Sequence, residues 1–171
     1  MKTALFLAFL SHISLASEAD VRSPEPCMLT KHNQAHNTFL KRHVAEGAPS
    51  TDDQNGWETF LRKSKFCHRP TQSFLPDSER ERVNAVCASG GKLYKGNLCI
   101  SKEPFSFITV RVEQGTCGIR KVVRETKHLI LACEKIENHC KPVHFEGNPE
   151  NIKPDNNHGT ILKCCNRMVF T

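Results

Sequence analysis

The apolar residues of this chain follow a helical spacing in its first half and form runs rich in Val, Ile and Phe in its second half. Within 29–44, Phe39, Leu40 and Val44 recur at the spacing of one helix face. Gly47 follows the run, and glycine commonly ends a helix. The pattern therefore predicts a first helix over 29–44.

Two shorter helices are predicted to follow. Trp57 and Leu61 are spaced for one face of a short second helix. Asp77 or Ser78, together with Glu81, has the spacing of a capping box, which predicts the start of a third helix.

The second half of the chain has the composition of antiparallel strands, because β-branched and aromatic residues favour strands and turn residues separate the runs. The predicted strands are 104–112, 119–124, 127–134 and 142–146. Helices followed by strands indicate an α+β domain. Residues 147–163 hold little to bury and are predicted to be disordered, with a disulfide through Cys164 or Cys165 tying the tail, 148–171, back to the body.

The chain begins with a segment typical of secretion. Lys2 precedes an apolar run that ends in small residues, which predicts a signal peptide over 1–19 or a cleavage after Ala16. No later segment approaches the roughly 20 apolar residues of a membrane span. We therefore expect a secreted, extracellular protein whose residues 20–35 form an N-terminal extension and the start of the first helix.

Length and charge limit the class of protein. With 171 residues, of which 38% are hydrophobic, the chain suits one compact domain. Its formal net charge of +6 favours a polyanionic partner such as RNA, a heparin-like glycan or an anionic bacterial surface. The alternative is that the charge only maintains solubility.

The nine cysteines predict disulfides, because a secretory route is oxidising. An odd number leaves one thiol free, capped or bridged to another chain, so we expect a monomer unless such a bridge forms. No cysteine pair has zinc-site spacing, and His32 with His36 lacks a third ligand, so we interpret those histidines as a solvated helix face and expect no metal.

Three residues are candidates for acid, base and anion-binding chemistry: His43, Arg69 and His144. An imidazole has a pKa of about 6.5, so one histidine can remove a proton while another donates one at neutral pH. A fixed cation can stabilise the negative charge of a phosphorane. The three together suit transfer at a phosphodiester.

Four stretches of the chain carry a family resemblance. Residues 127–134 and 142–146 are similar to the last two strands of the pancreatic-type ribonuclease A superfamily, which includes the angiogenins and the amphibian onconase-like proteins. Residues 39–44 resemble its first helix, and 97–102 have an angiogenin-like character. The resemblance spans 36–147 and implies three N-terminal helices packed on a bent, disulfide-linked antiparallel sheet.

The resemblance also implies roles for the candidate residues. His43 would be the general base on the ribose 2′-hydroxyl, and His144 the general acid on the leaving 5′-oxygen. Glu146 would orient the ring of His144, and Arg69 would stand in place of the family's lysine. Because a planar guanidinium differs from a compact ammonium, we expect weaker catalysis.

The resemblance further implies a substrate-binding set and two disulfides. Ser73 stands where the family has a threonine that contacts the pyrimidine. The expected substrate-binding residues are Lys41, Arg42, Ser73, Phe145 and Glu146. Cys67 with Cys117 and Cys87 with Cys133 resemble two family bridges, and Trp57 and Val110 stand near both halves of a missing third. The pairing of Cys27, Cys99, Cys140, Cys164 and Cys165 stays open.

Two functions follow from these expectations. The first is a secreted endoribonuclease that cleaves RNA 3′ to pyrimidines by two-histidine catalysis, without a metal or other cofactor. The alternative is a weak or inactive relative that binds RNA or heparin-like polyanions in host defence or signalling.

Overall fold

The structure is a computed structural model that describes residues 25–155 and Cys164. The predicted signal peptide lies outside the described residues, as do 20–24 of the predicted N-terminal extension and 156–163 and 165–171 of the predicted tail. Among the described residues, no helix combines the length and apolar character that crossing a membrane requires.

Three α-helices and eight strands are present in the described part of the chain. The helices are α1 (Ala35–His43), α2 (Gln54–Lys63) and α3 (Arg80–Ala85). The strands are β1 (Met28–Leu29), β2 (Thr71–Phe74), β3 (Gly91–Lys95), β4 (Leu98–Ser101), β5 (Phe105–Val112), β6 (Ile119–Lys127), β7 (Ile130–Ile136) and β8 (His139–Phe145). The predicted α+β class is confirmed.

The strands form two hydrogen-bonded sheets. In one, β7 pairs with β8 and β4, and β3 extends the sheet from β4. In the other, β5 lies between β2 and β6. The strands β5 to β8 match the predicted runs apart from shifts at their ends, whereas β2, β3 and β4 were missed because four or five residues give too short a pattern.

The core has two buried clusters. One packs α1 and α3 against β7 and contains Phe39, Leu131 and the Cys87–Cys133 disulfide. The second lies between α2 and the sheet of β2, β5 and β6, and includes Trp57 and Val110, the two residues near the missing bridge. Apolar packing therefore occupies the place where the resemblance implies a lost disulfide.

The helix predicted over 29–44 is wrong in its first half. Met28 and Leu29 form β1, which pairs in parallel with Glu134 and Lys135 of β7. A disulfide between Cys27 and Cys140 fixes the same segment beside β8. These two attachments hold the chain extended, so the helix begins only at Ala35.

The predicted capping box of the third helix is also wrong. The segment begins with a 3-10 turn, Asp77–Glu79, and no side chain caps it or the helix that follows. The Asp77 carboxylate instead accepts hydrogen bonds from the Arg80 guanidinium. Asp77 thus pairs with a charged side chain of the following helix and makes no cap.

The described part of the segment predicted to be disordered is packed. Asn148 is buried, and its side-chain amide donates to the carbonyl oxygens of His128 and Ile152 at 3.0 and 2.9 Å. The Asn151 carboxamide oxygen accepts from the His128 N–H at 3.2 Å. Side-chain hydrogen bonds of Asn148 and Asn151 thus hold the segment to His128 although most of its residues are exposed, and Cys164 is joined to Cys99.

Candidate active site

The candidate site is a cavity of about 260 Å³ between the end of α1, the strand β2 and the end of β8. Most of the residues expected from sequence line it: Arg42, His43, Arg69, Ser73, His144, Phe145 and Glu146. Lys41 is exposed on α1 and lies outside this lining. The fold therefore brings the proposed base, acid and cation of the sequence analysis to one place.

His43 is held by three contacts at the end of α1. Its Nδ1 lies 2.9 Å from the Ser73 carbonyl oxygen. Its ring stacks on Phe145 with 5.1 Å between centroids and is tilted against Phe39 at 5.4 Å. A carbonyl oxygen can only accept, so Nδ1 carries the hydrogen and the neutral ring keeps its lone pair on Nε2.

Burial lowers the pKa of His43 to about 4. The hydrogen bond to Ser73 opposes this effect, while the positive charges of Arg69, His144 and Arg42 add to it. A neutral imidazole with a free Nε2 is the form that can accept a proton. The site therefore holds His43 ready to act as a base at neutral pH.

His144 lies on β8 and is exposed, in contrast to His43. Its Nε2 is 3.3 Å from a carboxylate oxygen of Glu146. This contact places the Glu146 carboxylate beside one ring nitrogen, and Nδ1 is the other nitrogen that can transfer a proton.

Arg69 and Arg42 supply positive charge to the cavity. Burial, together with the charge of Arg42, lowers the pKa of the Arg69 guanidinium. An arginine nevertheless keeps its charge at neutral pH. Both guanidinium groups line the cavity together with the Glu146 carboxylate, so an anion placed there would meet two positive charges and one negative charge.

Ser73 belongs to a hydrogen-bond chain that sequence reasoning missed. Its Oγ lies 2.8 Å from the Thr109 hydroxyl, which donates to Glu125 at 2.5 Å. Burial would raise the pKa of Glu125, but hydrogen bonds from Lys127 and Thr109 outweigh it and the pKa is lowered. Since the Thr109 hydroxyl donates its hydrogen to Glu125, the Ser73 hydroxyl must donate to Thr109. The lone pairs of Ser73 Oγ then remain available to accept from a ligand.

Comparison with known proteins finds angiogenins among the similar sequences. No family model matches the chain. Angiogenin of Papio hamadryas is 28% identical over 125 residues, covering 69% of this chain and 81% of that protein, and angiogenin of Mus musculus is 25% identical over 125 residues, covering 71% and 83%.

Solved structures share the fold. The X-ray structure of SS-RNase-2 des116-120 has a TM-score of 0.54 and 28% identity, and the alignment covers 68% of this chain and 96% of that chain. Green turtle egg white ribonuclease has a TM-score of 0.54 and 21% identity, covering 66% and 97%. The similarity to angiogenins and ribonucleases supports the pancreatic-type ribonuclease superfamily that the sequence resemblance implies.

The disulfides of this ribonuclease fold join the site to the core. Cys67, two residues before Arg69, is bonded to Cys117, and Cys87 is bonded to Cys133. These are the two pairs that the family resemblance implies. The sequence left open the pairs Cys27–Cys140 and Cys99–Cys164.

Sequence reasoning also missed the second contact of α1 with β8. His36 is buried, and its Nδ1 lies 2.9 Å from the Pro142 carbonyl oxygen. The interpretation of His32 and His36 as a solvated pair is therefore wrong for His36. Its spacing of three and seven residues before Phe39 and His43, on the same helix face, was the available signal.

Among the described residues, one group of potential metal ligands was found. The sulfur atoms of Cys99, Cys133 and Cys164 lie within 4.8 Å of one another. All three are disulfide-bonded, so none offers a thiolate.

A second, larger cavity of about 440 Å³ lies on the other side of His144. It shares Val143, His144 and Glu146 with the first and adds His32, Ala35, Asn97, Leu98, Ala132 and Glu134. His144 therefore stands between two cavities in the surface of the ribonuclease fold.

Proposed function

We propose that this protein is a secreted endoribonuclease that cleaves RNA 3′ to pyrimidines and forms a 2′,3′-cyclic phosphate without a metal. The observation that carries the proposal is a neutral His43 whose lone pair lies on Nε2, in one cavity with His144 and two guanidinium groups. Such a cavity offers a proton acceptor, a proton donor and an anion site together.

The reaction would use these groups in one displacement. His43 Nε2 removes the proton of the 2′-hydroxyl, and the oxygen attacks phosphorus. Protonated His144 gives a proton from Nδ1 to the leaving 5′-oxygen as the P–O bond breaks. Arg69 and Arg42 bind the non-bridging oxygens, where negative charge increases in the transition state.

Ser73 would select the base. Its lone pairs can accept from the N3–H of uracil, whereas N3 of cytosine is itself an acceptor. We therefore expect uridine to be favoured on the 5′ side of the cleaved bond, through the chain of hydrogen bonds to Glu125.

The second nucleoside would lie in the larger cavity. The leaving 5′-oxygen must be next to His144, and the second cavity opens on the other side of that residue. RNA would therefore cross His144 from one cavity to the other.

The test is the initial rate of cleavage of uridylyl-adenosine by the oxidised protein, with and without EDTA. We expect His43→Ala and His144→Ala to lower the rate by at least about a thousandfold and EDTA to have no effect. Equal rates for the wild type and His144→Ala would overturn the proposal and favour a protein that only binds polyanions.

Arg69 is tested in the same assay. Arg69→Ala is expected to lower kcat roughly a hundredfold, because a fixed donor to the transition state is lost. Arg69→Lys keeps the charge and restores the compact ammonium, so it is expected to equal or exceed the wild-type rate. Lys63→Ala at the end of α2 is the matched control for the loss of one cation.

A further inference from the structure

The Cys27–Cys140 disulfide differs in exposure from the other three disulfides in the described part of the chain. Both of its cysteines are partly exposed. Each of the others has at least one buried cysteine; they are Cys67–Cys117, Cys87–Cys133 and Cys99–Cys164. Because thiol–disulfide exchange requires a thiolate to reach a sulfur atom, a reductant reaches the exposed bond first.

A cation lies beside this bond. In the pairing of β7 with β8, Lys135 is directly opposite Cys140, and directly opposite residues share one face of a sheet. Positive charge stabilises the thiolate that leaves when a disulfide is attacked. Exposure and charge therefore both favour reduction of the Cys27–Cys140 bond.

The backbone hydrogen bonds of the N-terminal segment Cys27–His32 lie at the two ends of β1. The Cys27 N–H donates to the Cys133 carbonyl oxygen and the Thr30 N–H to that of Lys135, both at 2.9 Å. Such bonds add little to stability near the surface, because water replaces them when the strand opens. A strand of two residues is therefore not stable by its pairing alone.

The side chains of the segment bury little apolar surface. Met28 and Leu29, its two strand residues, are 52% and 74% exposed. The Thr30 hydroxyl donates to a carboxylate oxygen of Glu134 at 2.6 Å and accepts from the His32 N–H at 3.1 Å. The disulfide therefore supplies most of the attachment of this segment to the sheet.

The start of α1 depends on the same segment. The Ala35 N–H donates to the His32 carbonyl oxygen at 2.9 Å. Gln34, which precedes the helix, makes no side-chain cap, and the first turn holds no acidic residue. A helix of nine residues is marginal by itself, so its first turn relies on the chain before it.

We propose that the Cys27–Cys140 disulfide is a redox-sensitive tether. A dithiol reductant opens it, releases the segment Cys27–His32 and loosens the first turn of α1, the helix that carries His43. The second cavity then loses the wall formed by His32 and Ala35. The effect on RNA cleavage rests on the proposed function, whereas the release of the segment does not.

The exchange is balanced. One thiolate of the reductant attacks a sulfur atom of the Cys27–Cys140 bond and forms a mixed disulfide, and the second thiol of the reductant then displaces the remaining protein sulfur. Both cysteines are reduced to thiols, which take up the two protons of the reductant. The reductant is oxidised to its own disulfide, and the other three protein disulfides stay closed.

Partial reduction tests which bond opens. The oxidised protein is alkylated once to block the thiol that an odd count of nine cysteines leaves. It is then exposed to a low concentration of dithiothreitol and alkylated again with an isotope-labelled reagent, and the labelled cysteines are mapped by mass spectrometry. We expect Cys27 and Cys140 to be labelled at least about tenfold faster than the cysteines of the other three bonds.

Hydrogen–deuterium exchange tests what the bond holds in place. Opening the bond is expected to speed exchange in the first turn of α1 roughly tenfold and to leave β7 unchanged. The double variant Cys27→Ser with Cys140→Ser should show this fast exchange without reductant. Thr30→Val is the matched control, because it removes the contacts of the hydroxyl, keeps the disulfide and should leave α1 protected until the bond is reduced.

Cleavage of uridylyl-adenosine is the third measurement. We expect partial reduction to lower the rate about fivefold in the wild type, because the helix that carries His43 is loosened. The double variant Cys27→Ser with Cys140→Ser should already have the lower rate, and the reductant should not change it.

Three results would overturn the inference: earlier reduction of another disulfide, unchanged exchange in α1 when the Cys27–Cys140 bond is open, or an equal increase in α1 and β7. The last result would mean that the bond maintains the whole fold. The partially reduced wild type decides among these outcomes even if the double variant does not fold. If the oxidised wild type cleaves no dinucleotide, the proposed function fails, and the exchange measurement still decides whether the bond is a tether.

Discussion

At the scale of single residues, the low pKa of His43 comes mainly from the apolar groups around it. Phe145 covers one face of the ring, and Phe107 packs edge-on against Phe145 with 5.9 Å between centroids. Phe145 therefore has a role that sequence reasoning did not assign: it removes water from the base.

Replacing Phe145 tests this role. In Phe145→Ala, water reaches His43 and its pKa rises from about 4 toward the ordinary 6.5. A base must be neutral to act, so the acid limb of the kcat/KM profile moves to higher pH by roughly one unit or more. The measurement is the pH–rate profile together with the NMR titration of the His43 ring.

Phe145→Leu is the control, because it keeps an apolar side chain over the imidazole. Its acid limb is expected to stay near that of the wild type. A wild-type acid limb near pH 6.5, or the same limb in both variants, would contradict the assignment.

At the scale of elements, α1 depends on β8 for its position. His36 donates from Nδ1 to the Pro142 carbonyl oxygen, and Pro142 is buried at this contact. Burial lowers the pKa of His36, and the charges of Lys141 and Arg80 lower it further against the effect of the hydrogen bond. The helix that carries His43 is thus docked through a histidine whose burial favours its neutral form.

This docking predicts a pH-dependent stability. The folded pKa of His36 lies below the unfolded value, so its contribution is complete above about pH 6.5 and is lost as the pH falls toward the folded pKa. We expect the free energy of unfolding to fall less steeply between pH 6.5 and 5 in His36→Gln than in the wild type. Denaturant unfolding at each pH measures it.

The remaining slope should come partly from His43, whose pKa is also lowered. His139→Gln, on the exposed start of β8, controls for the loss of an imidazole. A slope in His36→Gln as steep as that of the wild type would show that protonation of this histidine does not weaken the contact.

The same two elements show how far sequence reasoning extends. The regular spacing of Phe39, Leu40 and Val44 predicted the C-terminal half of α1, because one helix face recurs locally in sequence. The strand β1 was missed because the residues that hold it extended lie more than 100 positions later in the sequence. They are Glu134, in the parallel pairing, and Cys140, in the disulfide with Cys27. Local patterns cannot contain such contacts.

The candidate site followed the same rule. The sequence indicated His43 and His144 through residue type and family resemblance. It could not indicate that the Ser73 carbonyl oxygen orients the His43 ring, or that Thr30 connects His32 to Glu134. These hydrogen bonds join segments that are far apart in sequence and come together only on folding. What the fold adds to the sequence is the protonation state of His43 and the second cavity beside His144.

At the scale of the whole molecule, positive charge continues from the site along one face of a sheet. Thr71 of β2 lines the first cavity and pairs with Arg111 of β5, which pairs with Lys121 of β6. Both cations are exposed and lie side by side, and like charges directly across a strand pair repel. A phosphate between them would relieve this repulsion.

Arg111 and Lys121, the row of cations beside the first cavity, predict a salt dependence for binding of a 2′-O-methylated oligouridylate. The blocked 2′-oxygen of this probe prevents cleavage. Each cation that meets a phosphate on a single strand contributes about 0.7 to the slope of log affinity against log salt concentration. The double variant Arg111→Ala with Lys121→Ala should therefore flatten the slope by about 1.4. Lys63→Ala with Lys65→Ala removes the same charge near the end of α2. Because α2 packs on the opposite face of the sheet, this pair should leave the slope nearly unchanged. Equal flattening by both pairs would mean that the net charge of +6, and not the row beside the cavity, holds the RNA.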